Sequence, residues 1–140
     1  MSVEENRTFV AAWLGAAGER DMIEALIAGS SPHVVVHSPF GLDGGLQLAQ
    51  EIHVQLQRGF PDMTLALEGE VYGEDRAVIQ FLLEGTNTGP ILGLPPTNRK
   101  IEMPIALAFR VEQQRIVELW FYANTLAPII QQRLGDMGLL

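Results

Sequence analysis

The stretch Arg115–Asn124, RIVELWFYAN, is apolar enough for a buried strand and yet carries a carboxylate in its middle. As extended chain, with alternate residues on opposite faces, it puts Ile116, Glu118, Trp120, Tyr122 and Asn124 on one side. Val117, Leu119, Phe121 and Ala123 share the other, which reads as plain core. The first side is an aromatic strip studded with polar groups, and a carboxylate resists burial unless it is paired, hydrogen-bonded or neutralised. Such a strip suits the wall of a pocket. The competing reading is a sheet with one solvated face, which would expose Trp120 and Tyr122 together with Glu118.

Around this stretch lies a chain of 140 residues, the ordinary size of one domain, with 47% hydrophobic residues to fill a single core. One domain over 1–140 is expected. A net charge of −8 and only nine Lys and Arg argue against nucleic acid, whose phosphates draw on clustered cations. No cysteine is present, which removes disulfides, thiolate nucleophiles and thiolate metal sites together. Glu4, Glu5 and Arg7 interrupt the N-terminus before any signal-like apolar run forms, and no stretch is long enough to span a membrane. A soluble, cytoplasmic protein is expected.

Helices come first. Ser2 followed by Glu5 fits a capping box, with Phe9, Val10, Trp13, Leu14 and Ala17 at helical spacing behind it and Gly18 at the end. Met22, Ile23, Leu26 and Ile27 form the stripe of a second short helix stopped by Gly29, and the two make a helical hairpin. HVVVH, His33–His37, is a β-branched run between prolines and hence a strand, followed by the loop SPFGLDGG. Leu46, Ala49, His53 and Leu56 then mark a third helix, closed by Gly59 and Pro61. Strands follow over Met63–Tyr72, Ala77–Glu84 and Lys100–Val111, the last two joined by the Gly/Pro-rich GTNTGPILGLPPTNR. After the opening strand, Thr125 caps a final helix with Pro128 in its first turn, Gly135 at its end and a loose tail from Asp136. Helices first and antiparallel strands afterwards predict an α+β domain, its helices segregated to one face of a curved sheet.

Several strings carry a resemblance: FPDM at Phe60–Met63, GTNTGPILGLPPT at Gly85–Thr97, RIVELW at Arg115–Trp120 and QQRLG at Gln131–Gly135. Together with the order of elements they make the chain similar, over nearly its whole length, to the polyketide cyclase (SnoaL-like, or ester cyclase) family. That resemblance implies the cone-shaped α+β fold of nuclear transport factor 2, a curved antiparallel sheet with N-terminal helices covering its concave face. It also implies a small cofactor-free enzyme, usually dimeric, that closes rings by intramolecular aldol condensation or runs related proton transfers in the cone. The family's catalytic acid/base is an aspartate four residues after the strand tryptophan, a place held here by Asn124. Between the threonines of the GT-T string, where the family often has histidine, stands Asn87. Both titratable groups are amides here, and amides take no proton near neutral pH.

Aldol closure needs a base beside a carbonyl and donors on the oxygen that becomes an enolate. Asn124 and Tyr122 can donate. Glu118 is either a base with a raised pKa or an ion-paired structural group. His33 and His37 lie on one strand face about 13 Å apart by strand rise, too far to chelate one metal ion. No metal or cofactor is expected, and His37, at the strand end, is the preferred histidine for the cavity. His53 is either a core histidine or a base hanging into the cone. Trp120, His53, Asn87, Met103 and Phe109 are the candidate lining residues, with Asn87 near the mouth. Glu68 and Glu70 share a strand face and read as solvated.

Two function classes follow: a cyclase- or isomerase-like enzyme on an apolar carbonyl compound, with an epoxide hydrolase variant included, and a non-catalytic small-molecule-binding protein of the same fold. The expected partner is a hydrophobic small molecule. A homodimer is expected through the outer sheet face, resting on uncovered apolar residues of Ala77–Leu83 and Val117–Ala123.

Overall fold

The computed structural model describes residues 2–19, 22–124 and 127–139, leaving aside the side chains of 15–19 and 22–23. Helix α1 (Val3–Glu19) begins where the Ser2 hydroxyl accepts the Glu5 N–H at 3.1 Å. Val10 and Trp13 of its stripe are buried, and Trp13 Nε1 donates to the Ala25 carbonyl at 3.0 Å, tying α1 to α2 (Met22–Gly29). The buried side of α2 is Ala25 and Leu26, whereas Ile27, read as part of the stripe, is exposed. This eight-residue helix packs against α1, α3 and β1, and Ile27 lies off the packed side.

Among the described residues, six strands form one sheet in the order β2-β1-β6-β5-β4-β3. β1 (Ser30–His37) begins before HVVVH and runs through Pro32, which falls in the irregular stretch between the Ser30 and Val35 pairings, where a missing N–H breaks no ladder bond. β2 is only Asp43–Gly44, and α3 spans Leu46–Gly59. β3 (Thr64–Tyr72), β4 (Arg76–Thr86), β5 (Lys100–Glu112) and β6 (Arg115–Ala123) form an antiparallel meander. Gln113 and Gln114, both at positive φ, make the tight β5–β6 turn. β1 lies parallel to β6, the one parallel pairing in the sheet, so it is not antiparallel throughout.

Helix α4 (Ala127–Asp136) buries Pro128 in its first turn, and Thr125, read as its cap, lies outside the described residues. Its tail is tied down rather than loose: Gly138 adopts φ 75° and the Leu139 N–H reaches back to the Leu134 carbonyl at 2.9 Å, a Schellman closure.

The face under the helices carries Ile79, Leu83, Met103, Leu107, Phe109 and Leu119, all buried. β5 shows the division most clearly, with every odd residue from Ile101 to Val111 buried and Pro104, Ala106, Ala108 and Arg110 on the outer face. Of the stretch Ala77–Leu83 expected to contribute to a dimer patch, Ala77, Ile79, Phe81 and Leu83 point inward, and Val78 and Leu82 lie half-buried on the outer face opposite Ala108 and Pro104.

Within the meander, two bulges break strict alternation. The pairing jumps from Arg110↔Glu118 to Val111↔Ile116, so Val117 is an extra residue and Ile116 turns into the core rather than joining the polar strip. In β3 the pairing jumps from Leu67↔Phe81 to Gly69↔Gln80 around Glu68. Glu68 and Glu70 consequently do not share a face, and Glu70 instead accepts a bond from the Tyr72 hydroxyl at 3.1 Å.

Candidate functional site

Pairing fixes where the polar strip of β6 points. Glu118, Trp120 and Tyr122 stand opposite Arg110, Ala108 and Ala106, the outer residues of β5, so the strip lies on the sheet's outer face and not inside the cone. There it is neither a pocket wall around a free carboxylate nor simply wet. Glu118 Oε2 meets His37 Nε2 at 2.6 Å, and Arg110 Nε donates to Glu118 Oε1 at 3.1 Å. His37 Nδ1 meets Asp43 Oδ1 at 2.8 Å, and its ring stacks on Trp120 with centroids 5.1 Å apart. The Arg76 guanidinium lies 5.2 Å from the centre of the Trp120 ring.

The electrostatics follow from these contacts. With a carboxylate on each ring nitrogen, His37 holds its proton above the ordinary value of 6.5, the Glu118 bond contributing most and the Asp43 bond next. Glu118 is pushed below its ordinary 4.5, chiefly by the His37 bond and then by Arg110. A carboxylate held ionised by two cations is a poor base, and an imidazolium locked between two carboxylates is no better. His37 and Glu118 thus form an ion cluster outside the cone.

The cone interior is elsewhere. Between α2, α3 and the inner sheet face lies a chamber of about 60 Å³, lined by apolar side chains such as Leu26, Ile52, Leu56, Leu107 and Phe121, and by His53. Among the described residues lining it, His53 is the one titratable side chain. Helical spacing puts it there: Ala49, Ile52, His53 and Leu56 form the stripe of α3 that faces the sheet. Met103 and Phe109 are buried in the core of the same face, and Phe109 packs edge-on against Trp13 with centroids 5.1 Å apart. His33 is exposed.

The amides at the two family positions part company. Asn87 is 2% exposed and sits in the frame rather than at a mouth. Its Nδ2 donates to the carbonyls of Gly59 (3.1 Å) and Gly89 (3.0 Å), and its Oδ1 accepts the N–H and hydroxyl of Thr97 (2.9 and 3.0 Å). Asn124 is exposed just beyond the end of β6, in an open trough on the outer side of the sheet. Trp120, Tyr122, Asn124 and Asn87 therefore do not converge on one cavity, because the face that β6 turns to the helices is that of Leu119 and Phe121.

A residue that motif reading passed over explains two of the strings. Asp62 of FPDM accepts the Thr86 N–H at 2.7 Å and the Thr86 hydroxyl at 2.8 Å, so FPDM and GTNTG are two halves of one clamp. These bonds, the backbone one first, hold the Asp62 carboxyl below its ordinary value. Gly89 completes the clamp: a Cβ there would lie 1.8 Å from the Arg58 carbonyl oxygen, which only glycine tolerates. Among the described residues no group of three His, Asp or Glu could hold a metal ion, and no helix is long and apolar enough to cross a membrane.

Comparison with known proteins completes the picture. No curated protein matches the chain in sequence. Among solved structures, AclR of Streptomyces galilaeus is similar with a TM-score of 0.75 at 22% identity, over 96% of this chain and 83% of that one. A SnoaL-like polyketide cyclase of Agrobacterium tumefaciens gives 0.68 at 18% identity, over 96% and 99%. An NTF2-like protein of Burkholderia thailandensis gives 0.69 at 19%, over 90% and 95%. These likenesses show the fold, the cone of the nuclear transport factor 2-like proteins. The model of the SnoaL-like polyketide cyclases matches residues 6–132, nearly the whole of the sheet and its helices, and the chain belongs to that family.

Proposed function

We propose that the protein takes an apolar carbonyl compound into the chamber beneath α2 and α3, and that His53 moves the proton there. The observation that carries this reading is the position of His53, the one titratable side chain among the described residues lining that chamber. An imidazole can take a proton at one ring nitrogen and give it back, serving first as base and then as acid. In an aldol closure it removes the proton beside one carbonyl, the resulting carbanion attacks a second carbonyl of the same molecule, and the imidazolium returns the proton to the new alkoxide. Isomerisation needs the proton removal alone, after which the imidazolium returns the proton to a different carbon of the enolate. At about 60 Å³ the chamber has room for about two waters, so a substrate enters only as α2 and α3 move outward.

The amide at Asn124 and the consumed amide at Asn87 favour a second reading, a binding protein that keeps the cone without the reaction. Turnover of a β-keto ester and of a 1,5-diketone by wild type and His53→Gln separates the two. A loss of about 100-fold or more in His53→Gln supports the enzyme. Equal rates in both proteins sink it. Inert proteins that still bind ketones, with chemical-shift changes at Leu107 and Phe121, leave the binding reading standing.

A further inference from the structure

The wall of the chamber beneath α2 and α3 is not equally closed all round. Among the described residues lining it, Leu26, Val36, Leu107 and Leu119 are buried, whereas Ile52, His53 and Phe121 are partly exposed. Ile52 and His53 come from one turn of α3 and Phe121 from β6, so the chamber meets solvent between that turn and the sheet. Strand pairing gives the reason. β1 accompanies β6 only as far as His37↔Trp120 and then turns off into its loop. Leu119 is therefore flanked on both sides, by Val36 of β1 and Phe109 of β5, while Phe121 has Leu107 on one side and no β1 residue on the other. The next residue on that face of β6 is Ala123, whose methyl is too small to screen the ring.

We propose that Phe121 is the specificity-determining residue of the chamber: with the Ile52–His53 turn it frames the mouth, and its ring sets the largest ligand that reaches the imidazole. This role, which rests on the reading of the chamber as the ligand site, follows from the unequal freedom of the two sides of the mouth. α3 is a helix laid on the sheet by its apolar stripe, and its outward movement makes room, but Phe121 stands on a strand paired to β5 from Ile105↔Ala123 to Arg110↔Glu118. The helix is the moving side and the ring the fixed post. A ligand too bulky for the gap must turn the ring out of its rotamer or strain the strand, and both are costly in a packed structure. A ligand that fits lays its apolar part among the leucines and leaves its carbonyl at the threshold beside His53. There the partly exposed imidazole also stays in contact with water, with which it exchanges its proton between turnovers. Phe121 belongs to the inner face of the sheet, so the mouth works alike in one copy and in a homodimer formed through the outer face.

Titration of the isotope-labelled full chain with cyclopentanone, 1-indanone and 1-tetralone, ketones of rising bulk, followed by amide NMR at Leu107 and Leu119, tests the proposal in wild type, Phe121→Leu and Phe121→Trp. In wild type, affinity should fall along the series. Phe121→Leu shortens the post and should bind 1-tetralone about tenfold more tightly than wild type, with cyclopentanone changed less than about threefold. Phe121→Trp lengthens the post and should weaken 1-tetralone about tenfold. Either variant decides alone, and a well-dispersed amide spectrum without ligand shows that it is folded. Unchanged affinities in the variants, or a uniform change for all three ketones as a merely structural ring would give, overturn the proposal and leave the chamber reading standing, to be judged by His53→Gln. No saturable shift at Leu107 or Leu119 with any ketone in any of the three proteins overturns both.

Discussion

Asn87 and Glu118 are both polar groups at places where the family resemblance or the strand pattern put chemistry, and the molecule employs them in opposite ways. Asn87 is buried and neutral, and its side-chain bonds tie the Gly59 carbonyl at the end of α3 to Gly89 and Thr97 of the glycine-rich β4–β5 connection. Glu118 is partly exposed and charged, and its partners are two cations on a sheet surface. The first arrangement holds without regard to pH and tolerates no loss, since each missing partner strands a buried group. The second is screened by solvent and varies with protonation. The difference teaches that neither polar centre is free to move a proton, and that the candidate base stands outside the family strings, on α3.

The largest effect expected on this contrast is at Gly89. A methyl 1.8 Å from the Arg58 carbonyl oxygen must push the loop off the end of α3, and Gly89→Ala should cost about 4 kcal/mol in urea unfolding. A cost below about 1 kcal/mol would mean that the loop moves freely and that the clamp is no frame. Asn87→Ala comes next, at about 3 kcal/mol, because two backbone carbonyls and an N–H lose their partner inside the fold. Its cost should be the same at pH 5 and pH 8, roughly, all the groups involved being neutral.

The outer cluster should behave otherwise. His37 has a raised pKa, so its contribution is complete below about 6.5 and fades as pH rises through the raised value. Glu118 has a lowered pKa, so its contribution is complete above about 4.5 and fades as pH falls through the lowered value. Together they contribute fully only between these two ordinary values. NMR titration should find the His37 midpoint above 6.5 in wild type and lower in Glu118→Gln, while the Asp43 bond keeps part of the rise. An unchanged midpoint would show that Glu118 does not hold the imidazolium. The smallest effect belongs to Arg76→Gln, where loss of the contact with Trp120 should cost about 0.5 kcal/mol.

Much of this was legible in the chain, and the failures have physical causes. Strand and helix positions follow from periods of 2 and 3.6, and His53 was visible on the α3 stripe by that rule. What periodicity does not say is which side of β6 meets the helices, because Trp120 and Tyr122 are as apolar as Leu119 and Phe121. The deciding signal lay one strand earlier. β5 alternates large apolar residues with Pro104, Ala106, Ala108 and Arg110, and pairing Arg110 with Glu118 puts the strip outside. The bulges at Val117 and Glu68 left no mark in composition, since a bulge needs one extra residue and no special kind. Nor did Asn87 announce its role, since a buried amide takes its meaning from its partners, here the end of α3 and two points of its own loop.

The parallel pairing of β1 with β6 sets an order of assembly. Val35 and Val36 meet Glu118 and Leu119 across more than half the chain, so β1 has no neighbour on that side until the last strand exists. During synthesis the meander from β3 to β5 pairs as it emerges, while the helical hairpin and β1 wait with Val34 and Val36 uncovered. Loops of this span close slowly. The first-made quarter of the chain is therefore expected to dock onto the last-made strand late in folding, and the chamber comes into being only then.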